Sequence, residues 1–518
     1  MVRGGGDGTE RASGASDALT LTNAQRSATP MRPLSKRVRL TLVIGSLALL
    51  LYALVNWLLL LWRGLHSIAG RYDFSTYYAA AAALRADLHA NIYDEQVLAR
   101  IGADAHVLVN PPLPYTYPPL FAILLSPFTF LSFRVLSRVW LLANAALWLG
   151  LALLFANEIR ILLGTTLASV TPTDGATTHG KGASLRAWLA QLLRDDPAPL
   201  VALAASALLC LSFAPAAQTL ALGQIDFIVL APLALVPWLT RHGHERWVGV
   251  AIALAAMLKL TPALLIGYLL LRRRWQAALS ALVALVALTI VSGALVGPDH
   301  MLASLPQALR VGTGDATLGQ NEALFAPLLT LFALNVPSLL DAAQVISRIL
   351  LASLALWLAW FLWRAPRSSV NASDGQDIRE WIGYGIALCA MVLLAPTAWI
   401  HHYVWVLPAL VLALGLAGAY LVKGLRTTGA ATRDLGAATW MLVIAILSAL
   451  ALGWNLPHGW DTEQHPAVTH LFGLPLWPLL LELRPLGTLG VVLVLSQWYA
   501  GRERMKISAG ERDDGRKR

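Results

Sequence analysis

Apolar residues do not alternate along this chain. They run in long continuous blocks separated by short polar clusters. Blocks near 40–62, 137–157, 199–216, 224–239, 276–296, 345–363, 381–399, 403–422, 436–454 and 485–499 are rich in Leu, Ala and Val. A helix of roughly 20 apolar residues spans the hydrocarbon core of a bilayer. Backbone in lipid must satisfy its own hydrogen bonds, so blocks of this kind predict membrane helices rather than barrel strands, which would alternate. The stretch 247–271 is apolar too, but Arg241 and Arg246 lie at one end and Arg272, Arg273 and Arg274 at the other, with Lys259 and Pro262 in the middle. Both ends then favour the cytoplasm, which predicts a hairpin of two short helices. Residues 118–133 are apolar but short and begin with two prolines, and this segment is expected to be juxtamembrane or re-entrant.

Composition agrees with this pattern. Of the 518 residues, 57% are hydrophobic and 13% charged, against about a quarter charged in soluble domains. The mean hydropathy is +0.61. The net charge of +10 would suit a nucleic-acid partner in a soluble protein. Here the basic residues sit at helix ends and in tails, as the positive-inside rule requires, and no nucleic acid is expected. Lys181, Arg186 and Arg194, then Arg364, Arg367 and Arg379, then Lys423, Arg426 and Arg433 mark cytoplasmic loops, whereas the loop at 455–476 carries Asp461 and Glu463 without Lys or Arg. The expected organisation is a disordered cytoplasmic tail over 1–37, a membrane domain over 38–499 and a basic cytoplasmic tail over 500–518. Within the membrane domain, 63–136 forms a first outer loop and 158–198 a cytoplasmic insertion. Cys210 and Cys389 both lie in apolar blocks and read as small packing residues, without a disulfide or metal pattern.

Several polar positions stand out against this background. Asp73 follows the first block and precedes an aromatic and small-residue helix; it suits a general base at the membrane surface, or an N-cap. Tyr117 opens a rigid Tyr-Pro-Pro turn. Gly223, Gln224 and Asp226 sit at the edge of a span, where a capping role is equally open. Lys259 lies well inside an apolar stretch, where an ionisable group marks a site, such as one for a lipid-linked phosphate, unless it snorkels to an interface. Gln320, Asn321 and Glu322 follow a polar loop with Arg310 and Asp315; they offer groups for sugar and phosphate, or helix caps. His401 and His402 are adjacent, amid Trp399, Tyr403 and Trp405. Adjacent histidines do not make a zinc pair, and the alternatives are an interfacial aromatic belt or stabilisation of a departing phosphate oxygen. No Walker A, GxSxG or HExxH sequence is present.

Taken in order, DFSTYYAAAAAL, NIYD, YTYPPLFAILLSPF, LALGQIDF, LKLTP with LLRRRW, GQNEAL and APTAWIHHYVWVLP resemble glycosyltransferase family 87 of the GT-C superfamily, over roughly 40–425. That family includes polyprenyl-phosphate-mannose-dependent α-mannosyltransferases of actinobacteria. The resemblance implies an all-α, polytopic transmembrane bundle of GT-C type with about 10–12 membrane helices and juxtamembrane helices in the first outer loop. It implies inverting transfer of a sugar, mannose by family weight, from a polyprenyl-phosphate carrier to an extracytoplasmic glycan or glycolipid. The location would be the bacterial cytoplasmic membrane, the site would face outward, and no metal or other cofactor would be needed. Asp73 matches the family's base, and His402 would assist catalysis. Tyr77, Tyr117, Gln224, Lys259, Arg310, Asn321, Trp399 and His401 would bind substrate. The chain departs from the family pattern in having Asp226 where Asn is usual, GQNEA where NQS is usual, and APTAW before the histidine pair. A secondary transporter or flippase of lipid-linked sugars is the competing class, although no internal repeat is evident.

Overall fold

A computed structural model describes residues 36–66, 72–107, 112–168, 198–303, 321–364, 374–426, 432–453, 470–471, 474–475 and 482–514. The described residues form an all-α bundle. Its helices are α1 (Lys36–His66), α2 (Tyr72–Ala86), α3 (Glu95–Asp104), α4 (Leu120–Leu125), α5 (Phe133–Ala168), α6 (Ala198–Leu211), α7 (Ala214–Leu222), α8 (Asp226–Arg241), α9 (Glu245–Leu258), α10 (Leu264–Leu271), α11 (Trp275–Val296), α12 (Ala326–Asn335), α13 (Leu340–Arg364), α14 (Asp374–Leu393), α15 (Leu407–Arg426), α16 (Thr432–Gly453) and α17 (Leu483–Asp514). A seven-residue 3-10 turn, Ile400–Val406, leads into α15. Two-residue strands, His470–Leu471 and Leu474–Pro475, pair antiparallel.

Six helical stretches among the described residues are long and apolar enough to cross a membrane: Leu40–His66, Phe133–Phe155, Trp275–Val296, Pro337–Arg364, Ile400–Leu421 and Gly436–Gly453. The protein is thus a polytopic membrane bundle. Three of the other expected segments are shorter or broken, and 485–499 lies within the longer α17. Block 199–216 divides at Phe213 into α6 and α7, where Pro215 begins a new helix. Block 381–399 leaves the helix after Leu393 as Pro396 approaches. A proline cannot donate to the helical ladder and disfavours helix in the residue before it. The basic tail expected from 500 continues as helix to Asp514. The insertion expected from 158 begins as helix to Ala168, its middle lying outside the described residues, as do residues 1–35.

The helices differ in what they face. Leu40, Ile44, Leu47 and Leu51 of α1 and Leu356 of α13 point outward, as lipid-facing side chains do. The Ile400–Leu421 stretch is the inverse: 78% of its apolar window is buried, which makes it the centre of the bundle. Trp148 stacks on Phe227 with ring centroids 4.6 Å apart, tying α5 to α8 inside that core.

The segment around 247–271 is a hairpin, as the flanking arginines suggest. Helices α9 and α10 are joined by an extended Lys259 and a 3-10 turn over Thr261–Ala263. The two ends return to one side, where Arg274 pairs with Glu245 at 2.7 Å and also donates to Thr240. The juxtamembrane segment after Tyr117 is likewise short. The six residues of α4 and a 3-10 turn over Ser126–Phe128 reach far less than the ~30 Å of a bilayer core.

Helix α9 packs closely on α11 at Gly249. A Cβ there would stand 2.1 Å from the Ala277 carbonyl oxygen and 2.6 Å from the Ala281 backbone nitrogen. Backbone cannot yield as a flexible side chain can. Gly249→Ala should therefore force the two helices apart and destabilise the fold by about 1–3 kcal/mol, the usual scale of overpacking. Thermal unfolding of the purified variant measures this.

Candidate active site

Helix ends, rather than helix middles, build the polar centre of the bundle. Asp73 lies in the first turn of α2. Tyr117 precedes α4. Gln224 and Asp226 lie where α7 gives way to α8, Lys259 at the break between α9 and α10, and His401 and His402 in the 3-10 turn before α15. Three of these breaks have a local cause. Gly223 takes φ +71°, and a Cβ on it would meet Cβ of Phe74 at 2.8 Å, so only glycine lets α7 end here against α2. Pro118, Pro119 and Pro262 interrupt the other two.

The breaks converge. The Tyr77 hydroxyl donates to Oε1 of Gln224 at 2.6 Å. Its ring lies edge-on to Tyr117, 5.2 Å away. Indole Nε1 of Trp140 donates to the Gly223 carbonyl at 2.8 Å and holds the turn. Lys259 Nζ donates to Oδ1 of Asp226 at 2.9 Å, with both side chains buried. The same ammonium lies 5.6 Å from the Tyr117 ring centre and 5.1 Å from that of Trp405. Nε2 of His401 stands 4.0 Å from Oδ2 of Asp226. His402 stacks on Trp405 at 5.0 Å, and its Nδ1 accepts the backbone N–H of Trp399 at 3.2 Å. Trp405 Nε1 reaches the Asp226 carbonyl at 3.3 Å.

Asp73 is partly buried at this centre. Burial pushes its carboxyl up to about 6; a hydrogen bond from Gln224 and the charge of Lys259 oppose the rise, and Asp226 adds to it. A carboxyl so tuned is ionised at neutral pH yet basic enough to accept a proton. It lies with the Gln224 amide in the field of the buried Lys259, and these groups, with the aromatic faces and imidazoles of the same cluster, suit a polyhydroxylated, anionic substrate.

Asn321 is placed differently. Its Oδ1 accepts from the backbone N–H groups of Ala323 and Ala398, both at 3.0 Å, so it ties two chain segments together. Trp399 contributes its backbone to the His402 turn. Arg310 lies outside the described residues. Three contributors were not singled out from sequence as site residues. Asp226 is the counter-ion of Lys259, and Trp405 closes the cluster from the 3-10 turn before α15. Arg484 of α17 pairs with the Glu322 carboxylate in a buried contact. A buried cation demands an anion, and that was the available signal for Asp226.

The model of glycosyltransferase family 87 matches residues 115–373, half of the chain. The chain belongs to glycosyltransferase family 87. Among its relatives is a Mycobacterium tuberculosis polyprenol-phosphate-mannose-dependent alpha-(1-2)-phosphatidylinositol mannoside mannosyltransferase. It is 32% identical over 322 residues, 60% of this chain and 64% of that protein. The match thus covers less than two thirds of that relative's length. A Mycolicibacterium smegmatis protein of the same description is 28% identical over 69% of this chain and 72% of its own. A pentamannoside mannosyltransferase of Mycolicibacterium smegmatis is 24% identical over 57% of this chain and 60% of its own. No solved structure matches. The matched family stretch includes Tyr117, Gln224, Asp226 and Lys259, while Asp73, His401 and His402 lie outside it and join it in space.

The Glu322–Arg484 pair supports this family scaffold from the side. Burial pushes the Glu322 carboxyl up to about 7, against the pull of Arg484. The Tyr403 hydroxyl donates to the Glu322 carbonyl at 2.5 Å, and the Glu322 N–H donates to the Ala398 carbonyl at 2.7 Å. Removing one partner of a buried pair strands the other charge. Arg484→Met should destabilise the protein by about 3–5 kcal/mol, and Glu322→Gln combined with Arg484→Met should recover much of the loss. Denaturation of the three proteins in detergent checks the order.

Proposed function

We propose that this chain is a membrane glycosyltransferase that moves a sugar, mannose by the activity of its relatives, from a polyprenyl-phosphate carrier to an extracytoplasmic glycan or glycolipid. The observation that carries the reading is that Asp73, bonded to Gln224, lies within the field of the buried Lys259. One group suits proton abstraction and the other a phosphate, and single displacement at an anomeric carbon needs both.

In this reading the acceptor hydroxyl gives its proton to Asp73 as its oxygen bonds to the anomeric carbon. The bond from that carbon to the phosphate oxygen breaks, and the configuration inverts. Charge develops on the departing polyprenyl phosphate, where Lys259 and the His401–His402 turn supply compensation that needs no reorganisation. Tyr77 and Tyr117 pack beside the sugar. Phosphate is already a good leaving group, so the protein's task is positioning and electrostatic stabilisation.

Sidedness follows from the same helices. Helix α9 runs from Glu245 to Leu258, about 20 Å at 1.5 Å per residue, which separates the Arg274–Glu245 end from Lys259. Arg241, Arg246 and Arg272 to Arg274 mark the first end as cytoplasmic. The Asp73 end then faces outward, where lipid-linked donors serve external acceptors.

Asp73→Asn should lower transfer of labelled sugar from a polyprenyl-phosphate sugar by about 10²–10⁴-fold, the range of general-base catalysis, with the fold retained. In the unaltered protein, kcat should fall about tenfold per pH unit below about 6, because the raised carboxyl is protonated there and cannot accept the acceptor's proton. Near-normal transfer by the purified variant would overturn the assignment. Carrier movement across vesicles without sugar transfer would point instead to a flippase.

A further inference from the structure

The Lys259–Asp226 pair sits inside the site rather than beside it, and it poses a problem for an anionic donor. A phosphate that uses the Lys259 ammonium meets a carboxylate already bound to it. Asp226 is fully buried, and its Oδ1 accepts from Nζ at 2.9 Å. The remaining sides of the ammonium face the rings of Tyr117 and Trp405. No other salt bridge to Lys259 occurs among the described residues. Two polar atoms next to this pair have no hydrogen-bond partner: Oδ2 of Asp226 and Nδ1 of His401. Nε2 of His401 lies 4.0 Å from that orphaned oxygen, just beyond hydrogen-bond reach.

From this geometry we infer that Asp226 is the resting counter-ion of Lys259, and that the donor's phosphate takes the lysine over from it. The inference rests on the donor assignment above and goes further in naming Asp226 as the positioning residue that sets donor affinity. Three features make the exchange feasible. Lys259 stands in an extended break between two helices (φ −150°, ψ 128°), so its side chain is not bound to one helical face. Asp226 opens α8, where the positive end of the helix dipole still favours a carboxylate once the ammonium has moved. His401 needs to approach by only about 1 Å to reach normal hydrogen-bond distance from Oδ2.

The consequence is a competition with a definite sign. Two anions, Asp226 and the phosphate, contend for one buried cation. Taking the charge from Asp226 leaves Lys259 to the phosphate alone. In a purely structural pair the sign is opposite, because an unpaired buried lysine loosens the site and weakens binding.

The test is a titration of the purified full-length chain with a polyprenyl monophosphate in detergent micelles, followed by tryptophan fluorescence, since Trp405 borders Lys259. The parent polyprenol and inorganic phosphate serve as controls that separate lipid from headgroup. Asp226→Asn should bind the monophosphate about tenfold more tightly than the parent protein, near the lower bound of close charge-pair couplings. Lys259→Met should bind it at least tenfold more weakly, and the double variant should match Lys259→Met. Equal or weaker binding by a folded Asp226→Asn protein overturns the inference while leaving the donor assignment intact. Absence of monophosphate binding by the parent protein overturns the donor assignment and the inference with it. Should Asp226→Asn not fold, a ligand-bound structure of the parent decides. Lys259 within hydrogen-bond distance of the phosphate and released from Asp226 supports the exchange; Lys259 still at Asp226 and away from the phosphate overturns it.

Discussion

An ammonium group inside an apolar helix bundle must find an anion, and the position of Lys259 organises much of what surrounds it. Burying a charge costs several kcal/mol after relaxation unless a partner and further hydrogen bonds offset it. Asp226 meets that demand at 2.9 Å, and it can do so only because α7 ends at Gly223 and α8 starts three residues later. That break also presents Gln224 to Tyr77 and Asp73. The lysine itself is placed by a second break, between α9 and α10, and is flanked by aromatic rings from a third and a fourth. The polar centre of the bundle is therefore a meeting of helix termini. In a membrane, irregular backbone is tolerated only where protein or a cavity covers it, and here the covering elements are α2 and the most buried of the six long apolar stretches, Ile400–Leu421.

Three further ionic contacts hold this arrangement from opposite sides. At the arginine-rich end, Arg272 pairs with Glu380 at 2.5 Å and Arg274 with Glu245 at 2.7 Å, fixing both ends of the hairpin. At the other, Arg484 reaches from α17 to Glu322, whose backbone grips Ala398 and Tyr403 on either side of the histidine pair. The first turn of the last helix thus braces the histidine turn.

How much of this is legible in the sequence depends on range. The hairpin is legible because Arg241 and Arg246 bracket it with Arg272 to Arg274, and the charge rule acts locally. The shortness of the segment after Tyr117 is legible from its two prolines. The gathering of Asp73, Tyr77, Tyr117, Gln224, Lys259, His401 and His402 was expected as a set of family motifs, and the fold brings these residues into one cluster. What the sequence hides is pairing at a distance. Asp226 reads as a cap or an interfacial acid until Lys259, 33 positions away, is seen beside it. Glu322 and Arg484 are 162 positions apart, and neither carries a local sign of the other. Asn321 looks like a sugar ligand because amides often are, yet its oxygen is taken by two backbone N–H groups. A single sequence contains the partners but not their proximity.

The central claim is that the donor's phosphate sits among Tyr117, Lys259 and Trp405. Photo-crosslinking addresses it most directly, using a polyprenyl-phosphate sugar with a photoreactive group on the isoprene unit next to the phosphate, followed by peptide mapping. The account predicts label in the peptides around Tyr115–Phe121 and Met257–Ala263, lost on adding excess unlabelled polyprenyl phosphate. Label confined to the opposite end of the bundle, in the cleft lined by Arg241, Arg274, Glu380 and Trp381, would contradict it.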